Sequence, residues 1–285
     1  MSMGPPPAPL DDLPIGASIS AAYRSVFGRL GYLLRAALVP FLLSLVIMVL
    51  SRAAGESPVL IHVLGLLTLG PYTIFAVAWH RAVLLDAPPP VIPVWEKRHW
   101  RFLGYLLIIT AVSYGASFIY QPVVASVLLT PEGLEAPTLD TPAVLVALIS
   151  LVLVMYLFLR ISFVFPAVAV DERYGLALAW RHSKGQGLRL FGAMLATMIL
   201  AYLGVMLALQ IVLTPFVGAL QESEDTASLM MAVESLNLAL NYILIALSLS
   251  LISVAFRTCT GWIPDLPGPP GGYLTEVPPD DDTGT

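Results

Sequence analysis

Four histidines are the side chains of this chain best suited to bind a metal ion or to move protons. They are His62, His80, His99 and His182, and no two of them are close in sequence. A zinc hydrolase needs clustered ligands, such as two histidines four residues apart on a helix with a glutamate beside the first. Three of these histidines instead stand beside an arginine. We therefore expect polar anchors at a membrane surface and no metal; the alternative is a metal site made by those three.

Nucleophiles and cofactor fingerprints are also missing from the sequence. The nearest string to a G-x-S-x-G elbow, Gly115-Ala116-Ser117, lies inside a long apolar run, where small residues usually let helices approach closely. There is no P-loop and no dinucleotide fingerprint. The single cysteine, Cys259, permits neither an internal disulfide nor a cysteine-based metal site. We expect no catalytic residues, no cofactor and no enzymatic activity.

Charged side chains concentrate between residues 160 and 192, where the sequence passes from one apolar run to the next. Cations beside an apolar run attract anionic lipid headgroups with about 1 kcal/mol each. This pattern predicts contact with lipid phosphate or with a partner protein, although such charges can also serve only to fix topology. We expect Arg160 to pair with Asp171 or Glu172, or to contact a lipid phosphate. The candidate residues are Arg160, Asp171, Arg173, Arg181, His182, Lys184 and Arg189.

Four amide side chains lie inside the apolar runs: Gln121, Gln210, Asn237 and Asn241. Because Asn237 and Asn241 are four residues apart, they share one helix face. Hydrogen bonds between membrane helices are worth about 0.6 to 2 kcal/mol, so we expect these amides to bond across a helix bundle. The alternative is that they line an outward-facing polar cavity.

The elements that would position these residues are membrane-spanning helices. Hydrophobic residues make up 58% of the 285 residues and charged residues only 12%, against about 25% in soluble domains. Uncharged runs of about 20 residues are typical of spanning helices. We predict an all-α polytopic membrane protein whose six transmembrane helices form three hairpins. The predicted spans are residues 30–51, 59–79, 102–129, 144–165, 190–217 and 236–256, with a helix from Asp225 or Thr226 continuing into the last.

The distribution of Lys and Arg predicts the orientation. Of the 14 Lys and Arg residues, only Arg52 would lie outside if the N-terminus is cytoplasmic, and the outer loops are acidic. We therefore expect both termini in the cytoplasm and a location in a bacterial inner membrane. The net charge of −5 arises from the outer loops and the C-terminal tail. Nothing in this balance suggests nucleic acid, whereas anionic lipids, a protein partner or a second copy are expected partners.

The segments outside the spans divide the chain further. Residues 1–14 and 259–285 are rich in Pro and Asp, and we expect both to be disordered around a membrane domain of residues 15–258. Short amphipathic helices at the membrane surface are expected before at least the first and fifth spans. The string LGYLL occurs at 30–34 and again at 103–107, and each odd-numbered span opens with an arginine. These matches predict a threefold repeat of helical hairpins.

Residues 160–185 resemble one known family. Arg160, the FxFP run at 163–166, Asp171, an alanine and a serine four apart (Ala179 and Ser183) and the Lys184-Gly185 step are similar to the glycerophosphoryl diester phosphodiesterase membrane-domain family and related uncharacterised six-span bacterial inner-membrane proteins. WHRAVLL at 79–85 is similar to the end of span two in that group, whereas Gln186-Gly187 stands where an Asn-aromatic step is common.

This resemblance implies a six-helix membrane module. It does not imply catalysis, because the phosphodiesterase activity of fused members belongs to a separate soluble domain, and the short gaps between the apolar runs have no room for one. We expect a non-enzymatic protein that binds anionic lipid or scaffolds a partner through its basic cytoplasmic joints. The alternatives are a small transporter for an amphipathic or neutral solute and, less favoured by the sequence, an intramembrane lipid enzyme.

Overall fold

The computed structural model describes residues 12–55, 57–128, 142–214 and 226–264, with no description of the side chains at 58, 116–144, 146–147, 212–213 and 226–229. Within these ranges every element of regular secondary structure is a helix, as predicted. The helices are α1 (Ile15–Phe27), α2 (Leu30–Ala53), α3 (Pro58–Leu67), α4 (Leu69–Leu85), α5 (Lys97–Leu128), α6 (Pro142–Ile161), α7 (Val164–Ala169), α8 (Leu176–His182), α9 (Gly187–Leu213) and α10 (Thr226–Thr260).

Five stretches in the described residues are long and apolar enough to cross a membrane. They are Leu30–Ala53, Val59–Leu85, Leu148–Ala169, Gly187–Ile211 and Met230–Thr260. They coincide with five of the six predicted spans. The remaining prediction, 102–129, falls on α5, whose side chains are described only as far as Gly115.

Two of the five stretches are interrupted helices. The second breaks between α3 and α4 at Thr68, and Pro71 lies in the first turn of α4, where its missing N–H costs no helical hydrogen bond. The third breaks between α6 and α7, and Pro166 likewise lies in the first turn of α7. The span predicted at 144–165 therefore contains a break after Ile161.

Helix α4 is central to the bundle and packs against α2, α5, α7 and α10. The indole N–H of its fully buried Trp79 lies 3.0 Å from the Ala246 carbonyl oxygen and 2.9 Å from the Ser250 hydroxyl. The next residue on α4 is His80, whose Nδ1 atom lies 2.7 Å from the hydroxyl of Ser253, about one turn after Ser250 on α10. These bonds fix the register of α4 against α10.

Helix α1 is present ahead of α2, as predicted, and packs mainly against α10 and α9. It buries Ser18, Ala22 and Val26, which recur every four residues along one face. Its entry is held by Leu13, whose backbone N–H donates to Oε1 of Gln186 at 2.9 Å. Helix α8, which precedes α9, packs against α6. Each of these two helices is therefore fastened to a neighbouring long helix.

The ordered C-terminal end extends past the predicted boundary at residue 258. Helix α10 continues to Thr260, and Trp262 is only 4% exposed, with its ring centroid 6.1 Å from that of Phe256. The rest of the predicted tail, and residues 1–11 of the predicted lead, lie outside the described residues.

Candidate functional site

The charged stretch from residue 160 to residue 192, called the joint below, comprises the end of α6, helices α7 and α8, and the start of α9. The chain turns sharply after α7 at Asp171, which has a φ of 66°. Non-glycine residues seldom adopt this left-handed conformation, and Asp tolerates it better than most. A second turn, at Gly185 with a φ of 79°, separates α8 from α9. These turns place α8 beside the end of α6.

Arg160 lies in the interior of the joint and is only 8% exposed. Its Nε donates to Oγ of Ser183 at 2.8 Å, its Nη2 to the Trp180 carbonyl oxygen at 2.7 Å, and its Nη1 to the Tyr156 hydroxyl at 3.2 Å. The guanidinium carbon also lies 4.0 Å from the centroid of the Trp180 ring, within cation-π range. The expectation that Arg160 pairs with Asp171 or Glu172 is wrong, because both acidic residues bind other partners.

Gly187, the first residue of α9, allows this arrangement. A Cβ at this position would lie 2.6 Å from Cδ of Arg160 and 2.7 Å from Cε2 of Tyr156. Both distances are shorter than a van der Waals contact. The buried arginine therefore requires glycine where the next long helix begins.

Asp171 binds two arginines from outside the joint. Its Oδ2 accepts from Nη1 of Arg98 at 2.6 Å and lies 3.6 Å from Nη1 of Arg81. Arg98 also donates through Nε to Oε2 of Glu96 at 2.6 Å. This bond lowers the pKa of Glu96 below its usual value. Sequence reasoning missed the two arginine partners, because they stand 73 or more positions from Asp171 in the chain.

The residues after Asp171 are held in the same way. Nη2 of Arg101 donates to the carbonyl oxygen of Glu172 at 2.7 Å, and the indole N–H of Trp262 donates to Oε1 of Glu172 at 2.9 Å. The hydroxyl of Tyr105 lies 3.4 Å from the carbonyl oxygen of Tyr174. The start of α5 and the end of the described C-terminal segment therefore clamp the acidic turn.

His182 is buried and has an internal partner. Its Nδ1 lies 2.7 Å from the hydroxyl of Tyr174, and the two ring centroids are 5.5 Å apart. Burial, together with the neighbouring Arg181, lowers the pKa of His182 below its usual value. Burial raises the pKa of Tyr174. Both groups are thus held in their neutral forms at neutral pH, as suits a hydrogen-bonded pair inside a protein.

The remaining cations of the joint point outward. Arg173, Arg181 and Lys184 are exposed and form no ion pair within the described part of the chain, whereas Arg189 is exposed but pairs with Asp12 at 2.9 Å. Trp180, which immediately precedes Arg181, is 43% exposed although one face covers Arg160. The joint therefore presents three unpaired cations and a half-exposed indole on a rigid base.

The amides predicted to lie within the spans are distributed differently. Gln210, Asn237 and Asn241 are all exposed on the outside of α9 and α10, and none of them lines a described cavity. The side chain of Gln121 lies outside the described residues. Among the described amides, the structure shows no convergence on one site.

The titratable side chains of the described ranges do not assemble into a metal site. No three His, Cys, Asp or Glu side chains converge there on a point that could hold a metal ion. The histidines have separate partners: His80 bonds to Ser253, His182 to Tyr174, and Nδ1 of His99 accepts the Glu96 backbone N–H at 3.0 Å.

Comparisons with known protein families, with curated proteins and with solved structures give no match for this chain.

Proposed function

We propose that this chain is a non-enzymatic, multi-pass protein of a bacterial inner membrane that binds anionic lipid headgroups through the outer surface of its joint. The observation that carries the proposal is that some polar and charged side chains of the joint have partners within the protein, whereas others do not. Arg160 and His182 are buried with partners inside the protein and Asp171 is paired with Arg98, whereas Arg173, Arg181 and Lys184 are exposed without an ion pair among the described residues.

Anionic lipid headgroups would serve as the partners that these three cations lack within the described part of the chain. Each Lys or Arg side chain beside a membrane is attracted to anionic headgroups by about 1 kcal/mol. A tryptophan at the same depth places its ring at the headgroup level, and the half-exposed Trp180 suits that position. Because the bonds of Arg160 fix α8, the three cations would meet the headgroups without first losing much conformational freedom.

The proposal also includes the arrangement in the membrane. The span predicted at 102–129 falls on α5 and completes the set of six. The three hairpins are α2 with α4, α5 with α6, and α9 with α10, and the two helices of each pair pack together. Both termini are cytoplasmic, which places the joint on the anionic inner leaflet. Membership of the glycerophosphoryl diester phosphodiesterase membrane-domain family, which the joint resembles, is part of the same proposal.

A charge-matched comparison tests the lipid interaction. One variant carries Arg173→Gln, Arg181→Gln and Lys184→Gln. The control carries Arg35→Gln, Lys97→Gln and Arg257→Gln, three exposed cations from elsewhere in the chain. Both variants change the net charge by the same amount. The measurement is native mass spectrometry of protein released from nanodiscs of phosphatidylglycerol and phosphatidylcholine, which counts the lipids that remain bound.

The joint variant should lose at least about tenfold in its preference for phosphatidylglycerol, because three cations at about 1 kcal/mol each exceed the 1.4 kcal/mol that a factor of ten requires. The control should lose much less. Equal losses in the two variants would mean that only overall charge matters, and would reject the joint as a lipid-binding surface.

A further inference from the structure

A second feature of the structure, separate from the joint, is an apolar groove beneath α1. We call it the α1 groove. It lies between α1, α9 and α10 and has a volume of about 280 Å³, close to the lower end of ligand pockets at about 300 Å³. Tyr23 and Phe27 form its α1 wall, Gly204 and Ala208 line it on α9, and Leu240 and Leu244 line it on α10.

The α1 groove is built to face hydrocarbon. Its two long walls, α9 and α10, are among the stretches apolar enough to span a membrane. The one polar group on its α1 wall is already satisfied, since the Tyr23 hydroxyl donates to the carbonyl oxygen of Thr197 at 3.2 Å. The Tyr23 ring therefore presents only carbon to the groove, stacked on Phe27 with the centroids 6.0 Å apart.

A cation adjoins the α1 wall of this groove in the sequence. Arg24 follows Tyr23 directly, is exposed, and forms no ion pair among the described residues. The same order of residues occurs in α8. Ala22-Tyr23-Arg24 and Ala179-Trp180-Arg181 each combine a fully buried alanine, an aromatic residue and an exposed arginine, followed by a glycine six residues after the alanine. Helix α1 thus repeats the outward-facing part of the joint and adds an apolar groove.

We propose that the α1 groove holds one acyl chain of an anionic phospholipid whose phosphate lies against Arg24. An acyl chain suits the space better than a helix of a second copy, because a helix with its side chains is about 10 to 12 Å across. The charge of Arg24 favours an anionic headgroup at the end of that chain. This site shares no residue with the joint surface, so either site can hold when the other fails.

Filling the groove is the sharpest test. A Cβ built on Gly204 meets no atom within 4 Å, and Gly204 lines the groove, so the side chain of Gly204→Leu should extend into the groove. In a helix Leu is also more favourable than Gly, so the variant should fold at least as well as the parent. Gly192→Leu is the matched control, because Gly192 lies on the same helix with the same free space but does not line the groove.

The measurement is the number of phosphatidylglycerol molecules that stay bound after delipidation in detergent, counted by native mass spectrometry. Gly204→Leu should retain about one lipid fewer than the parent, and Gly192→Leu the same number as the parent. Arg24→Gln should weaken phosphatidylglycerol binding about fivefold, the factor equivalent to about 1 kcal/mol, and leave phosphatidylcholine binding unchanged.

Three outcomes would overturn the assignment. They are equal lipid retention in the two leucine variants, an Arg24→Gln effect that is the same for both lipids, and a cysteine at position 204 that crosslinks to a second copy. Inorganic phosphate added in excess distinguishes the two parts of the ligand. It should not displace the lipid if the acyl chain contributes most of the binding. Displacement by phosphate would also reject the proposal. Loss of lipid in the joint variant alone would leave the α1 groove intact.

Discussion

Arg160 and Ser183 bond to each other in both directions. The Ser183 hydroxyl accepts a hydrogen bond from Nε of Arg160 at 2.8 Å and lies 2.7 Å from the Arg160 carbonyl oxygen, to which it donates. The two residues are 23 positions apart and belong to the end of α6 and the turn after α8. This reciprocal contact fixes α8, and with it the exposed Trp180 and Arg181, against the membrane domain.

The contact predicts that removing a single hydroxyl group, that of Ser183, destabilises the protein. Ser183→Ala should lower the free energy of unfolding by about 1 to 3 kcal/mol, because it leaves a charged, buried donor without its acceptor. The control is Ser235→Ala, since the exposed Ser235 hydroxyl bonds only to the carbonyl oxygen of Met231 in its own helix. Thermal unfolding in detergent measures both. Similar losses in the two variants would show that the reciprocal contact has no special importance.

The close approach of Gly187 to the side chain of Arg160 predicts that an added methyl group destabilises the protein. Gly187→Ala should destabilise the protein, because the added Cβ would lie 2.6 Å from Cδ of Arg160. Overpacking of this kind costs about 1 to 3 kcal/mol. Added to an Arg160→Ala variant, Gly187→Ala should cost less than it does in the parent, since one of the two clashing side chains is then removed and only Tyr156 remains. If Gly187→Ala unfolds at the same temperature as the parent, the buried position of Arg160 is incorrect.

The long helices were predictable from the sequence because an uncharged apolar run has few alternatives to a membrane helix. Helix α2 begins at Leu30, as predicted, and α10 begins at Thr226, one of the two predicted starts. The break at Thr68 was not predicted. Gly70 and Pro71 that follow it lie within an unbroken apolar run, and apolarity alone does not distinguish one helix from two.

The joint was located correctly, but its internal contacts were not predictable. The sequence does not distinguish Arg160, Asp171 and His182 from the unpaired cations, because all of them are charged or polar residues near an apolar run. Their partners, and those of the neighbouring Glu172, are distant in the chain: the exposed Asp171 binds Arg98, and Glu172 binds Trp262. A single sequence carries no signal that these residues meet.

His182 predicts a specific dependence of stability on pH. Its pKa is lower in the folded protein than its ordinary value of about 6.5. The unfolded chain therefore binds the proton first as the pH falls, so stability is complete above about pH 6.5 and is lost toward the lower pKa of the folded state. His182→Gln should show a smaller fall in Tm between pH 7.5 and about pH 5.5, because glutamine can accept the Tyr174 hydrogen bond but does not titrate.

Arg181→Gln provides an independent check of the same mechanism. The positive charge of Arg181 contributes to the lowered pKa of His182. Its removal should therefore raise that pKa and reduce the fall in Tm at acidic pH. Some dependence should remain, because burial lowers the pKa of His99 as well. An identical fall in all three proteins would mean that His182 does not titrate differently in the folded and unfolded states.

The proposed orientation predicts which positions a reagent outside the cell can reach. The only cysteine, Cys259, is buried, so the parent chain should react weakly with a maleimide that cannot cross membranes. Lys184→Cys should be labelled in inverted membrane vesicles and protected in right-side-out vesicles, because the proposed orientation places the joint in the cytoplasm. Ala53→Cys, at the exposed end of α2, should show the opposite pattern, since one span separates it from the cytoplasm. Labelling of both positions from the same side would contradict the proposed topology, and with it the contact between the joint and the inner leaflet.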